Sequence, residues 1–428
     1  MSEQDARRAI DAVWRIESAR LIAGLARMTG DVGVAEDLAQ DALLTALEQW
    51  PGSGVPDNPG AWLMATAKNR AIDRMRRGAM AARKEEELGR EIELQAQLAE
   101  PDLAVVADDD IGDDLLSLIF TASHPMLSTE ARVALTLRLV GSLSTAEIAR
   151  AFLASESTVA QRIVRAKRTL AEARVPIEVP GAGEREERLA SVLEVIYAIF
   201  NEGYAASGGD DWIRADLCDE AMRLGRILVG LAPDEPEALG LVALMELQAA
   251  RFPARTGAEG APIPLLEQDR SRWDFVLIGR GLKGLEQAEA LGRPLGPYTL
   301  QAGIAACHAR ARTPEQTDWE RIVALYDGLA AITGSPVVRL NRAVAVGMAF
   351  GPAAGLELLD SLADEPALAG YHLLPAARGE LLERLGRVEE AGLEFARAAE
   401  MSGNSPERDF LRERAEGRRS GGSRQVFE

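Results

Sequence analysis

The chain has 428 residues and a formal net charge of −19, and at ~150 residues per domain its length suggests roughly three domains, each able to bury its own core. Two cysteines (Cys218, Cys307) and three histidines (His124, His308, His372) are too few and too scattered for a disulfide framework, a zinc cluster or a histidine-based catalytic centre. The opening MSEQDARRAIDAVW mixes acids and bases, and no apolar run approaches the ~20 residues that span a bilayer; a soluble cytoplasmic protein is expected, with no membrane partner and no cofactor.

Charge is unevenly spread. Residues 1–84 carry 12 bases and 11 acids, residues 85–114 carry 12 acids and Arg90 alone, residues 115–178 carry 8 bases and 5 acids, and residues 179–428 carry 27 bases and 39 acids. Local fields decide where a polyanion docks, so the acidic total does not exclude nucleic acid.

Helical periodicity dominates throughout, and an all-α fold is expected. Ala35, Leu38, Ala39, Ala42 and Ala46 form one stripe of a helix over 34–50. Asp37, Gln40 and Asp41, with Glu36 and Glu48 nearby, face the other way. Such an acidic face suits either water or a basic protein partner. PGSGVPDNPG (51–60) is a turn-rich break, and Pro59 is placed to open a helix running through Arg77. On that helix Trp62, Thr66, Asn69, Asp73 and Arg76 share a face, flanked by Arg70, Arg74 and Arg77. An aromatic, a hydroxyl, an amide and arginines on adjacent stripes suit unpaired bases and their backbone. A solvated basic helix with Trp62 in the core fits the same pattern.

Residues 85–114 read as an acidic linker, helical at first and then strongly anionic. The helical pattern resumes over 115–178. There LSTAEIARAFLASESTVAQRIVRAKRTL (143–170) opens on a capping box, Ser144 with Glu147. A turn at about 153–155 follows, and Ser155 caps a second helix with the core stripe Val159, Ile163, Ala166 and Leu170. Its other side presents Ser157, Thr158, Gln161, Arg162, Arg165 and Arg168, with Lys167 alongside. Short polar residues leading a basic second helix make a helix-turn-helix, although a plain helical hairpin shares the pattern.

VPIEVPGAGE (175–184) has a linker's composition, and 184–428 again reads as helices. A stretch around Gly355 repeats around Gly392, near the ~34-residue period of tetratricopeptide hairpins. Arg251, Asp269, Arg270 and Trp273, with the segment 197–225, suit a buried polar network or a ligand pocket. Cys218 reads as packing. An enzyme using Asp210, Asp211, Asp269 and Arg270 lacks any nucleophile–base pair or phosphate loop.

AEDLAQDALLTALEQW (35–50), PGAWLMATAKNRAIDRMRR (59–77) and the 143–170 segment together resemble regions 2 and 4 of the extracytoplasmic-function (ECF) sigma factors of the sigma-70 family. HPMLSTEARVALTLRLVGSLST (124–145) and LLEQDRSRW (265–273) resemble its subgroup with a long tetratricopeptide-like extension. The resemblance implies a non-catalytic initiation subunit that binds core RNA polymerase, through the β′ clamp helices and β flap, and promoter DNA. It implies that Asp37, Gln40 and Asp41 dock on the clamp. Trp62, Lys68, Asn69, Arg70, Asp73, Arg74, Arg76 and Arg77 would melt and hold the −10 element. Ser157, Thr158, Gln161, Arg162, Arg165 and Arg168 would read the −35 element. The turn at 153–155 lacks the glycine common in such motifs. The extension, 184–428, is expected to regulate the rest in response to a protein or small ligand. The rival reading is a free-standing helix-turn-helix regulator with a tetratricopeptide-like sensor.

Overall fold

The computed structural model describes residues 3–86, 108–152, 154–204, 213–257, 263–403 and 405–417, without side chains at 3–6, 75–86, 108–112, 182 and 406. The acidic linker's core, 87–107, and the pair Asp210 and Asp211 therefore lie outside the described residues. Every regular element of the described residues is a helix, and the chain forms two units, residues 1–195 and 196–428.

The first unit contains α1 (Glu3–Thr29), α2 (Val32–Ser53), α3 (Pro59–Glu86), α4 (Asp108–Ala122), α5 (Thr129–Leu139), α6 (Thr145–Ala151), α7 (Glu156–Glu172) and the leading part of α8 (Ala182–Tyr204). Asp31 starts α2 by accepting hydrogen bonds from the Gly33 and Val34 amides at 2.6 and 3.0 Å. This satisfies donors that the helix itself leaves open. The alanine stripe at 35, 39, 42 and 46 is fully buried, as its spacing predicts, and Trp50 is buried at its end. Small side chains there let α1 and α2 lie close. α2 runs three residues into the proline–glycine stretch, taking Pro51 into its last turn, before Gly54 (φ +87°) donates to the Trp50 carbonyl.

Ser144 and Glu147 form the expected capping box at α6, and Ser155 accepts from the Thr158 amide to start α7. Val159, Ile163, Ala166 and Leu170 are buried on one side of α7, which packs on α5, α6 and α2. The leading part of α8 completes this bundle. Leu189, Val192 and Leu193 are buried, Arg188 donates to the Phe120 carbonyl, and Arg132 pairs with Glu194 at 3.0 Å.

In the second unit come the trailing part of α8, then α9 (Ala215–Leu231), α10 (Pro236–Ala249), α11 (Phe252–Arg255), α12 (Phe275–Ala290), α13 (Pro297–Arg310), α14 (Trp319–Thr333), α15 (Pro336–Phe350), α16 (Pro352–Asp360), α17 (Leu373–Arg384), α18 (Val388–Met401) and α19 (Ser405–Ala415). From α12 onward each helix packs on the next, as stacked hairpins do. The two repeat glycines sit at close approaches. A Cβ on Gly355 would lie 2.7 Å from the Gly347 Cα, so α15 and α16 touch backbone to backbone, and one on Gly392 would lie 3.2 Å from the Ala415 carbonyl.

Candidate nucleic-acid interface

On α7, Ser157, Thr158, Gln161, Arg165 and Arg168 are exposed and Arg162 is half-buried. The helix thus turns a polar, cationic face to solvent opposite its apolar stripe. The Ser155 hydroxyl lies 2.9 Å from the Ser157 hydroxyl and 2.8 Å from that of Thr158. The cap therefore also orients the first two groups that could meet a base edge. Arg168 pairs with Glu172 one turn on, at 2.6 Å and largely exposed, where such a pair contributes little and yields readily to a phosphate. Lys167 departs from the sequence expectation. It turns away from the arginine face and pairs with Glu36 of α2.

On α3, Asn58 accepts from the Ala61 amide to begin the helix. Leu63, Ala67 and Ala71 are buried. Trp62 is half-buried, its ring edge-on to Trp50 with centroids 5.3 Å apart. It combines the core and surface roles that the sequence left open, with one edge packed and one available. Asn69, Asp73 and Arg74 are exposed and Lys68 is half-buried. Arg70 is held against α2, donating to the Thr45 hydroxyl at 2.7 Å and pairing with Asp41 at 3.3 Å. The helix continues through Arg76 and Arg77, whose side chains lie outside the description.

α2 carries the third group. Asp37 and Asp41 are exposed, while Gln40 is half-buried and donates to Glu36 at 2.7 Å. Glu36 itself is not part of the solvated acidic face that the sequence suggested. Only 3% of it is exposed, and it pairs with Arg138 at 2.6 Å as well as with Lys167. Sequence periodicity could not flag this, because Glu36 borders the alanine stripe and its partners lie more than a hundred residues away.

In the second unit Arg251, Arg270 and Trp273 are buried, whereas Asp269 is exposed and accepts from the Ser271 amide and hydroxyl. Arg270 donates to the His308 and Ala311 carbonyls at 2.8 and 2.7 Å, closing the end of α13, and its guanidinium sits 4.9 Å from the Trp273 ring centre. Arg255 lies over the Tyr204 ring at 3.7 Å and donates to the Tyr204 carbonyl. These arginines tie elements together, which is the structural-network reading of the segment. Cys218 is buried against the Phe200 carbonyl, and burial pushes its thiol up to about 12, away from redox reactivity at neutral pH.

Two groups of outward polar residues thus stand on α3 and on α7. Sigma-70 region 2 matches residues 16–80, and sigma-70 region 4 matches residues 117–170. The chain belongs to the sigma-70 family. It is of the ECF type with a C-terminal extension, and a family of unknown function, DUF6596, matches residues 188–289 of that extension. The uncharacterized protein R00370 of Rhizobium meliloti (strain 1021) is 45% identical over 390 residues, 91% of this sigma factor and 90% of the relative. A probable ECF RNA polymerase sigma factor, SigI, of Mycobacterium tuberculosis is 28% identical over 187 residues, 43% of this chain and 61% of that protein. No solved structure matches the chain. Sigma factor families are non-catalytic initiation factors that bind core RNA polymerase and promoter DNA. Among the described residues, no helix is long and apolar enough to cross a membrane.

Proposed function

We propose that this sigma factor divides its work among three helices. α2 docks on the β′ clamp helices of core polymerase through Asp37, Gln40 and Asp41. α3 captures the melted −10 element with Trp62, Lys68, Asn69, Asp73 and Arg74, joined by Arg76 and Arg77. α7 enters the major groove of the −35 element, where Ser157, Thr158 and Gln161 meet base edges and Arg162, Arg165 and Arg168 hold phosphates. Arg70 acts from behind, keeping α3 on α2. The observation that carries this reading is the outward polar face of α7, led by a capped N-terminus with three hydroxyls.

Tethering two weak readers gives the second contact a high effective concentration, so neither needs tight binding alone. Capturing unpaired bases offsets part of the few kcal/mol that each unstacked step costs.

The extension, in this reading, regulates initiation in response to a peptide or small ligand. The leading part of α8 belongs to the first unit, where the Arg132–Glu194 and Arg188–Phe120 contacts hold it on the helix-turn-helix bundle.

In-vitro transcription with purified core polymerase is the test. Promoter-specific initiation is expected only when the chain is added, and promoter binding without core would favour the free-standing regulator instead. Asn69→Ala is expected to slow open-complex formation roughly tenfold while leaving closed-complex affinity within about twofold. Ending the chain after Tyr204 is expected to change promoter output, and unchanged output would remove the regulatory part.

A further inference from the structure

The polar side chains on the outward face of α7 have an evident reason to be in water, and Val164 has none. It is 62% exposed, whereas Val159, Ile163 and Leu170 of the same helix are buried. Its exposure does nothing for the fold, because a valine in solvent packs little and is a poorer helix former than alanine. Its position is central rather than peripheral. Ser157, Gln161, Val164 and Arg168 follow at spacings of four, three and four residues, in single file along the side of α7 opposite the buried stripe. The file presents a hydroxyl, an amide, an isopropyl group and a guanidinium, all exposed, with Arg165 beside it in solvent.

The major groove of B-form DNA offers such a file one apolar feature, the 5-methyl group of thymine. The N6 and N7 groups of adenine suit the amide of Gln161. Three helical residues rise about 4.5 Å, against ~3.4 Å between stacked base pairs. With α7 in the groove, Val164 therefore falls over the base pair next to the one that Gln161 meets. Arg165 and Arg168 match in charge the phosphates that border the groove, which makes duplex DNA, rather than an apolar protein surface, the occupant of this face.

We propose that Val164 reads the 5-methyl group of a thymine in the −35 element, one base pair from an adenine read by Gln161. The contact adds specificity through apolar burial where no hydrogen bond is made. The inference rests on the assignment of α7 to the −35 duplex made above.

Uracil lacks only that methyl group, which makes it the probe. Holoenzyme formed from the full-length chain selects −35 sequences from a randomised duplex, and each thymine of the preferred sequence is then replaced by uracil. One thymine, beside the base pair that Gln161 reads, should weaken binding about fourfold when replaced, as burial of one methyl group implies. Val164→Ala alters only a solvent position and should keep the fold. It should lower binding of the thymine duplex to the level of the uracil duplex and abolish the difference between them. Gln161→Ala should relax the choice at the neighbouring pair and keep the thymine–uracil ratio. Equal binding of every uracil-substituted duplex by the unaltered chain would overturn the proposal. So would a Val164→Ala chain that still prefers thymine, or one that loses the same affinity on both duplexes, as a protein contact would. If Arg165→Ala with Arg168→Ala left −35 binding unchanged, the assignment of α7 itself would fail; with that weakening present, the thymine–uracil ratio decides Val164 alone.

Discussion

Arginine is used in opposite ways in the two units. On α7, Arg165 and Arg168 stand in solvent, and Arg168 has only an exposed intrahelical partner. In the extension Arg251, Arg255 and Arg270 are buried, and Arg414 lies between Glu380, Glu383 and the Phe395 ring. The first arrangement keeps charge mobile and cheap to transfer to phosphate. The second uses the guanidinium's fixed fork to close helix ends and neutralise buried carboxylates. A count of basic residues cannot tell these apart; burial and partner identity do.

The contrast can be broken from the extension's side first. His308 is buried beside Arg251 and Arg270, and desolvation with those two cations lowers it to about 3, against ~6.5 in an unfolded chain. A depressed folded value means that its contribution is complete above about pH 6.5 and lost progressively as pH falls toward about 3. The second unit should therefore lose stability over that window. His308→Gln should flatten the dependence by about one proton, measured by denaturant unfolding at a series of pH values.

Arg414→Ala comes next. It removes one of the cations paired with Glu380, which is almost fully buried. A loss of roughly 3 kcal/mol is expected, by the cost of breaking a buried pair, and should appear as faster hydrogen exchange in α17–α19. A surface-like loss below ~1 kcal/mol would place Arg414 with the exposed class.

Arg165→Ala with Arg168→Ala should leave stability almost unchanged. It should weaken −35 duplex binding roughly tenfold or more and reduce the slope of log affinity against log salt by about 2. Loss of fold without loss of salt dependence would reverse the comparison. Ser155→Ala is the mildest change. Removing the α7 cap should cost about 1 kcal/mol, seen as a small drop in thermal midpoint with reduced base discrimination.

Much of this fold was legible in local pattern. The alanine stripe of α2, the Ser144–Glu147 box and the Val159–Leu170 stripe of α7 are short-range signals, and each folds as its spacing predicts. The outward residues of α7 were legible for the same reason, since most of what is off the apolar stripe faces away from it, Lys167 being the exception because Glu36 draws it toward α2. Trp62 was not decided locally, because its half-burial depends on Trp50 arriving from the preceding helix. Arg70 likewise reads as an unpaired basic side chain until Thr45 and Asp41 are placed beside it.

Helix positions, their starts and their apolar faces were written in the sequence, because capping and 3.6-residue periodicity act within a few residues. Tertiary structure alone decided which charges are surface and which are buried. Glu36 and Asp37 are neighbours of the same sign, yet one is enclosed by Arg138 and Lys167 and the other is in water. Electrostatic energy depends on local solvent and on partners brought from far along the chain, and neither is a property of a residue and its immediate neighbours.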